Sequence, residues 1–329
     1  MKTIEEFLQG KKLDQNLCED GLFLSEQMAV LIDGVTTGKW NIWYGKSGGL
    51  FAKNVLMSFL EEETRKGKEI VRKREEEAAI RAAMEAAGET EEDEAQEDSG
   101  AEEEEVPQEV PVWEMTPEDF FHALNKELRK KAEICLEEQQ EKQLVQPTYG
   151  LIDIIEYPRA SVIVYNEFYH EIWSYGGCNC RIGGRVYSHA RKLNEMHALK
   201  RAQFLEAEIA RGKTIEELTA FDTGRAVIAE DMHKKFYFEN RDVPDGYAML
   251  NGYKMNSRMI LRYPVKPGTE IVLASDGYPV TGKTLAESEA ALASLLQKDP
   301  LCFRFNKQMK GRGPLECSYD DRTYWRAVV

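Results

Sequence analysis

The chain has 329 residues, 42% hydrophobic and 31% charged, with a net charge of −15, which is enough apolar material for a sizeable core in one large domain or two small ones. The acidity is local: Glu89 to Glu105 holds eleven acids and no Lys or Arg, and −15 becomes −4 without those eleven, a balance that argues against nucleic acid as the partner of the folded part. Six scattered cysteines exclude a disulfide framework, no apolar run approaches a bilayer span, and acids stand where a signal peptide needs an apolar core, so a soluble, cytoplasmic protein is expected.

In chain order, a short helix is expected near the N-terminus, leading to Glu19-Asp20. Gly21-Leu-Phe-Leu and Met28 to Ile32 read as a hairpin turning on Ser25-Glu26-Gln27, which puts Glu19-Asp20 and Asp33 at one end of the pair. An aromatic loop with Trp40, Trp43 and Tyr44 precedes a helix from about Leu50, whose apolar face is Phe51, Val55, Met57, Phe59 and Leu60. From Glu61 to Ala87 the helix pattern turns polar, and residues 88–111 are acidic, low in complexity and expected to be disordered. The whole of 1–329 is read as one domain, with 61–112 a polar helical extension and acidic insertion within it.

Thr116-Pro-Glu-Asp opens an amphipathic helix through Phe120, Phe121, Leu124, Leu128, Ala132 and Leu136. Strands are expected over 150–155, 161–165 and 171–175, followed by a hairpin over 179–187 turning on Gly183-Gly184. Two helical segments, about 193–211 and 214–240, precede strands at 246–252, 259–263 and 270–275; a helix over 284–297 and a strand over 323–329 close the chain. Alternating groups of strands and helices suit two antiparallel sheets with helices packed outside.

The chemistry lies in the acids that end these strands. Ala29-Val-Leu-Ile-Asp33-Gly34 carries an apolar run into an acid, with a glycine at once after it and a tight turn expected there. Leu273-Ala-Ser-Asp276-Gly277 repeats the design, and Asp320-Asp321 opens the last strand. Carboxylates are the ligands that hard divalent ions prefer, and two such ions about 3.5–4 Å apart can share a carboxylate and a water that attacks phosphorus. Cys178 and Cys180, with no second pair or nearby His at ligand spacing, read as structural thiols.

In that order, Glu19-Asp20, Ala29 to Gly34, Leu273 to Gly277 and Asp320-Asp321-Arg-Thr resemble the E-D, F-D-G-x-G-G, A-[ST]-D-G and D-[ND]-x-[ST] motifs of the metal-dependent protein phosphatases of the 2C type, over most of the chain outside 61–112. The resemblance implies an α+β fold, a four-layer αββα sandwich of two antiparallel sheets flanked by helix pairs. It implies a hydrolase acting on phosphoserine and phosphothreonine in proteins with two Mn²⁺ or Mg²⁺ ions, and neither nucleic acid nor membrane as partner. Asp33 and Asp276 would carry catalysis; Asp33 would bridge the ions, Gly34 would offer its carbonyl to one, Asp276 and Asp320 would complete the other's shell, Glu19 would hold metal water, and Asp20 would support it.

The chain departs from the pattern in three places. Val35 stands where a general-acid His is frequent, and Gln15 where a phosphate-binding Arg is expected, leaving Lys11, Lys12, Lys39 or Lys46 as substitute cations, with Lys12 and Lys39 assigned to substrate. Gly177 stands where an Asp would assist a third metal, a site therefore expected to be weak or absent. The alternative reading is a phosphatase-like pseudoenzyme, a metal-binding regulatory module with little turnover.

Overall fold

The structure is a computed structural model that describes residues 1–36, 42–87, 109–142 and 156–329. Its elements in chain order are β1 (Lys2–Gln9), β2 (Asp20–Leu24), β3 (Met28–Val35), α1 (Gly48–Ala87), α2 (Pro117–Glu141), β4 (Arg159–Asn166), β5 (Glu171–Tyr175), β6 (Asn179–Ile182), β7 (Arg185–Tyr187), α3 (Lys192–Ala210), α4 (Ile215–Ala220), α5 (Thr223–Lys235), β8 (Leu261–Pro264), β9 (Glu270–Ala274), α6 (Leu285–Lys298) and β10 (Arg322–Val328). They form two five-stranded antiparallel sheets, ordered β2-β3-β4-β5-β8 and β1-β10-β9-β6-β7.

The period-two alternation of a strand sorts side chains to two faces, and here both faces are apolar. Val30, Ile32, Val162, Val164 and Trp173 pack under Phe51, Leu56 and Leu60 of α1 and Phe120, Leu124 and Leu128 of α2. Ala29, Leu31, Ile163 and Tyr165 face the other way and meet Ile271, Leu273, Trp325 and Ala327 of the second sheet. On that sheet's far side Val272, Ala274 and Tyr324 pack with Leu285 of α6. The chain is thus an α+β sandwich with helices outside two facing antiparallel sheets.

Helices α3 to α5 pack on one another and on the loop at Leu301 and Phe303, and Leu193 at the start of α3 packs with Tyr247, Met249 and Val35. Buried Arg159 on β4 pairs with Glu239 just after α5 at 2.8 Å. This fixes the helical layer at the strand end that carries Asp33.

Three expectations are corrected. The N-terminal segment is strand β1, an edge strand pairing with β10, and not a short helix; Ile4 sits at a bulge, and the side chains beyond it alternate, with Phe7 against Tyr324. Residues 214–240 break at Phe221, where Asp222 accepts from the Arg225 amide and starts a new helix. Residues 246–252 form only isolated bridges, Leu250 to Ala160 and Tyr247 to Glu239. Side-chain amides pair their backbone instead: Asn240 exchanges two hydrogen bonds with Met249, and Asn125 accepts from the amides of Asn251 and Gly252. The expected strand at 150–155, the acidic run 88–108, Lys39 and Trp40 lie outside the described residues, whereas the polar stretch from Glu61 continues α1 to Ala87. No described helix is long and apolar enough to cross a membrane.

Candidate active site

Asp20 and Asp33 are register partners on β2 and β3, and Asp276 follows β9 directly, so the sandwich delivers acids from both sheets to one end. Asp276-Gly277 forms the turn expected of it, whereas Asp33-Gly34 stays within the strand. Neither Gly34 nor Gly277 has a positive φ, and β3 continues to Val35. Both glycines serve close approach. A Cβ on Gly34 would lie 2.4 Å from the Gly49 carbonyl oxygen and 2.6 Å from that of Glu19, and one on Gly277 would lie 2.0 Å from the Asp321 carbonyl oxygen. Each glycine lets the strand carrying one acid press against the segment carrying the next.

Asp321 ties this end together. It is buried, and its carboxylate accepts from the Lys11 amide at 2.7 Å and the Glu19 amide at 2.8 Å. Asp20 is buried between the sheets, accepts from the Thr323 hydroxyl at 2.9 Å, and is pushed upward by burial and by Asp321. Glu19 accepts from the hydroxyls of Thr36 and Ser47, residues that the sequence did not single out. Gln15, at the expected arginine position, accepts from the Gly10 amide and donates to the Lys12 carbonyl, so it shapes its own loop.

Glu19, Asp33, Gly34, Asp276 and Asp320 line one cavity of about 800 Å³, with Lys12 on its exposed rim. Asp33 and Asp276 have no hydrogen-bond or ion-pair partner for their carboxylates among the described residues. Desolvation in the cavity pushes both upward in proton affinity, although Asp33 is half-buried and Asp276 opens to solvent; Asp276 adds to this at Asp33 and Asp320 at Asp276, while Lys310 and Arg191 draw Asp276 back and Arg191 draws Asp33 back. Asp320 is different. Lys310 Nζ lies 2.6 Å from it and Lys11 Nζ 3.2 Å, and these two ammonium groups outweigh burial and hold it below the usual carboxylate range. Lys11 also stands 3.9 Å from Glu19 and 3.8 Å from Asp321. As the side chains lie, no three acidic, His or Cys groups among the described residues are gathered to hold one ion. Asp320 gives one carboxylate oxygen, Oδ1, to both lysines and to the Asp321 amide, whereas Asp33 and Asp276 carry no such contact among the described residues.

The facing wall comes from the helical layer. Arg191, Arg225 and Lys235 line the same cavity, with Lys310 and Arg312 below them. Gly177 lies beside Arg191: a Cβ there would be 3.3 Å from Nη2 of that guanidinium. Cys178 and Cys180 are buried between the sheets as thiols, and Trp43 is buried against Phe51 and Tyr157.

No protein-family profile matches the chain, and no curated protein matches it. Solved structures do. The Mycobacterium tuberculosis serine/threonine phosphatase PstP/Ppp is 12% identical, with 99% of this chain and 98% of that one covered and a TM-score of 0.43. The catalytic domain of PstP in complex with two manganese ions is 12% identical, with both chains fully covered and a TM-score of 0.41. The PPM Ser-Thr phosphatase MsPP from Mycobacterium smegmatis, in complex with cacodylate, is 9% identical, with 99% and 98% covered and a TM-score of 0.37. Over nearly its whole length the chain is similar to bacterial serine/threonine phosphatases of the PPM type.

Proposed function

We propose that the chain hydrolyses phosphoserine and phosphothreonine esters in proteins with the help of Mn²⁺ or Mg²⁺, using the cavity between the strand ends and the helical layer. The observation that carries this reading is the pair Asp33 and Asp276: two carboxylates, one from each sheet, without a partner among the described residues and lining one cavity with a basic wall opposite. Hard oxygen donors of this kind fit a divalent ion, and Asp33, Asp276 and the adjacent Gly34 would hold it. When bound, such an ion supplies Lewis acidity and makes its water a nucleophile near neutral pH.

The chain's own residues supply the rest. Glu19, fixed by the Thr36 and Ser47 hydroxyls, offers a rigid acceptor for water on the cavity floor. Asp20 and Asp321 act from behind, tying β2 and the Lys11 loop to the segment that opens β10. Lys12 on the rim, together with Lys39, is the substitute cation expected for the substrate phosphate. The two lysines on Asp320 favour one ion at Asp33 and Asp276 over the two that the family resemblance implies.

A second reading, a regulatory module with little turnover, draws on the same lysines, because an acid cluster already neutralised by ammonium groups has less call for metal. Hydrolysis of an aryl phosphate by the purified chain separates the two. The phosphatase reading expects Mn²⁺-dependent turnover, abolished by chelation and lowered about 10²–10³-fold in Asp33→Ala and Asp276→Ala. Turnover that is absent at high protein concentration, or unchanged in both variants, overturns it.

A further inference from the structure

The helical wall of the cavity holds three cations that the fold ties down through neutral groups. Lys235, the last residue of α5, is only 5% exposed, yet its Nζ has a single long contact, 3.5 Å to the Asn194 side chain, besides the Phe236 ring at 5.6 Å. Arg191, just before α3, donates to the Ser161 hydroxyl at 2.8 Å and lies over the Tyr247 ring, and its Nε is buried without a partner. Arg225, in the first turn of α5, donates to the Met309 carbonyl at 3.1 Å. Asp222, the nearest acid in sequence, is taken up by Arg201 behind the wall. None of the three cations has a carboxylate within ion-pair distance among the described residues.

Burying like charges together is costly unless an opposite charge meets them. Around Lys235, Arg191, Arg225 and Arg159 repel its charge, while Glu239, already bound to Arg159, and Asp276 attract it. Asp33 and Asp276 lie across the cavity and are drawn down by Arg191, but they are the groups left open to a cation. An anion on the helical side of the cavity would meet these cations, as a cation at Asp33 and Asp276 would meet the acids.

We propose that Arg191, Arg225 and Lys235 form an anion clamp that takes the phosphoryl group of the substrate, supplying from α3 and α5 the positive charge that Gln15 cannot supply from the β1–β2 loop. This rests on the phosphatase reading for the identity of the anion, but the clamp itself is defined by its three cations. Arginine binds a phosphate edge through a planar fork, and lysine adds a point charge. Two arginines with a lysine between them suit a tetrahedral dianion.

The test is titration of the full-length chain with inorganic phosphate, followed by calorimetry, alongside aryl phosphate kinetics with Mn²⁺. Lys235→Met and Arg225→Gln are each expected to weaken phosphate binding about 10-fold and to raise KM and the inhibition constant of phosphate by a similar factor, with Mn²⁺ affinity held within 2-fold. Lys235→Arg and Arg191→Lys, which keep the charge, are expected to retain most of the binding, so a loss confined to the neutral variants marks charge and not misfolding. Phosphate binding unchanged in folded Lys235→Met and Arg225→Gln overturns the clamp. Phosphate binding that depends on these residues in a chain with no hydrolysis sinks the phosphatase reading and leaves the clamp standing.

Discussion

The two walls of the cavity are made in opposite ways. The acidic wall is set on strand ends, where the pairing of Asp20 with Asp33 and the close approach of Gly34 and Gly277 fix each carboxylate through backbone. The basic wall hangs on helices, and its cations reach the cavity on long side chains whose contacts are a hydroxyl, a carbonyl and an amide. Strand ends locked by glycine can hold acids that repel one another, and long basic side chains held by neutral groups can turn toward a ligand. The difference implies that the acidic wall fails by losing its frame, and the basic wall by losing its charge.

The sharpest way to break the acidic wall is therefore a methyl group. Gly34→Ala puts a Cβ inside the Glu19 and Gly49 carbonyl oxygens, and both belong to segments that cannot shift separately. Overpacking of this kind is expected to cost about 3 kcal/mol and to lower Tm by roughly 6–10 °C, with loss of turnover at temperatures where the variant is still folded. A calorimetric scan with wild-type Tm and activity would show that the glycine is not needed for close approach.

The basic wall should behave in the reverse sense. Burial and its basic neighbours Arg191, Arg225 and Arg159 lower the pKa of Lys235 to about 7, against the pull of Glu239. Between pH 7 and the ordinary lysine value the unfolded chain holds a proton that the folded chain has released, so native stability gains from Lys235 as pH rises through that window, and the cost of burying it is full below pH 7. Lys235→Met should accordingly raise Tm by roughly 2–4 °C at pH 6.5 while weakening phosphate. In the wild type, phosphate affinity should fall as pH rises from 6.5 to 8.5, and in Lys235→Met this dependence should flatten. A variant that loses stability and keeps its phosphate affinity would make Lys235 a packing residue only.

Most of the acidic wall could be read from the chain because strand-end acids leave a local pattern. Apolar runs ending at Asp33 and Asp276 specify both the strand and the residue that leaves its end. The hairpins at 20–35 and 179–187 were legible for the same reason, as turn residues sit between alternating runs. The basic wall left no such trace. Arg191, Arg225 and Lys235 are separated by 34 and 10 residues and belong to helices whose polar faces carry many other charges. They converge only because Arg159 and Glu239 pin the end of α5 to β4. Strand β1 was misread because Glu5 and Glu6 suit a helix start as well as an edge strand, and the deciding partner, β10, lies more than 300 residues on. The 246–252 segment was misread because amides of Asn125 and Asn240 replace a partner strand.

Between the walls stands Asp320, an acid held by lysines. Lys310→Met removes its shorter ammonium contact and leaves Lys11 in place. If the lysines compete with metal for this carboxylate, Mn²⁺ should bind about 3–10-fold more tightly in the variant, with calorimetric stoichiometry moving from one ion toward two. Unchanged affinity and stoichiometry would mean that Asp320 takes no part in ion binding with or without its lysine.

The smallest expected effect lies in the adjoining pocket, at Gly177 beside Arg191. The resemblance places an Asp there as ligand to a third ion, and on that ground Gly177→Asp should raise turnover. The geometry says otherwise. The new side chain would start 3.3 Å from the Arg191 guanidinium, the far end of a side chain able to move by a few tenths of an ångström, and its carboxylate would pair with that cation before any ion reached it. Arg191 would then be drawn from the cavity toward its new partner. Turnover should stay level or drop, and phosphate affinity should fall about 3-fold, less than on removing a cation outright because Arg225 and Lys235 remain. A sharp Mn²⁺-dependent rise in kcat would show that Arg191 does not claim the new carboxylate, and would place residue 177 with the acidic wall.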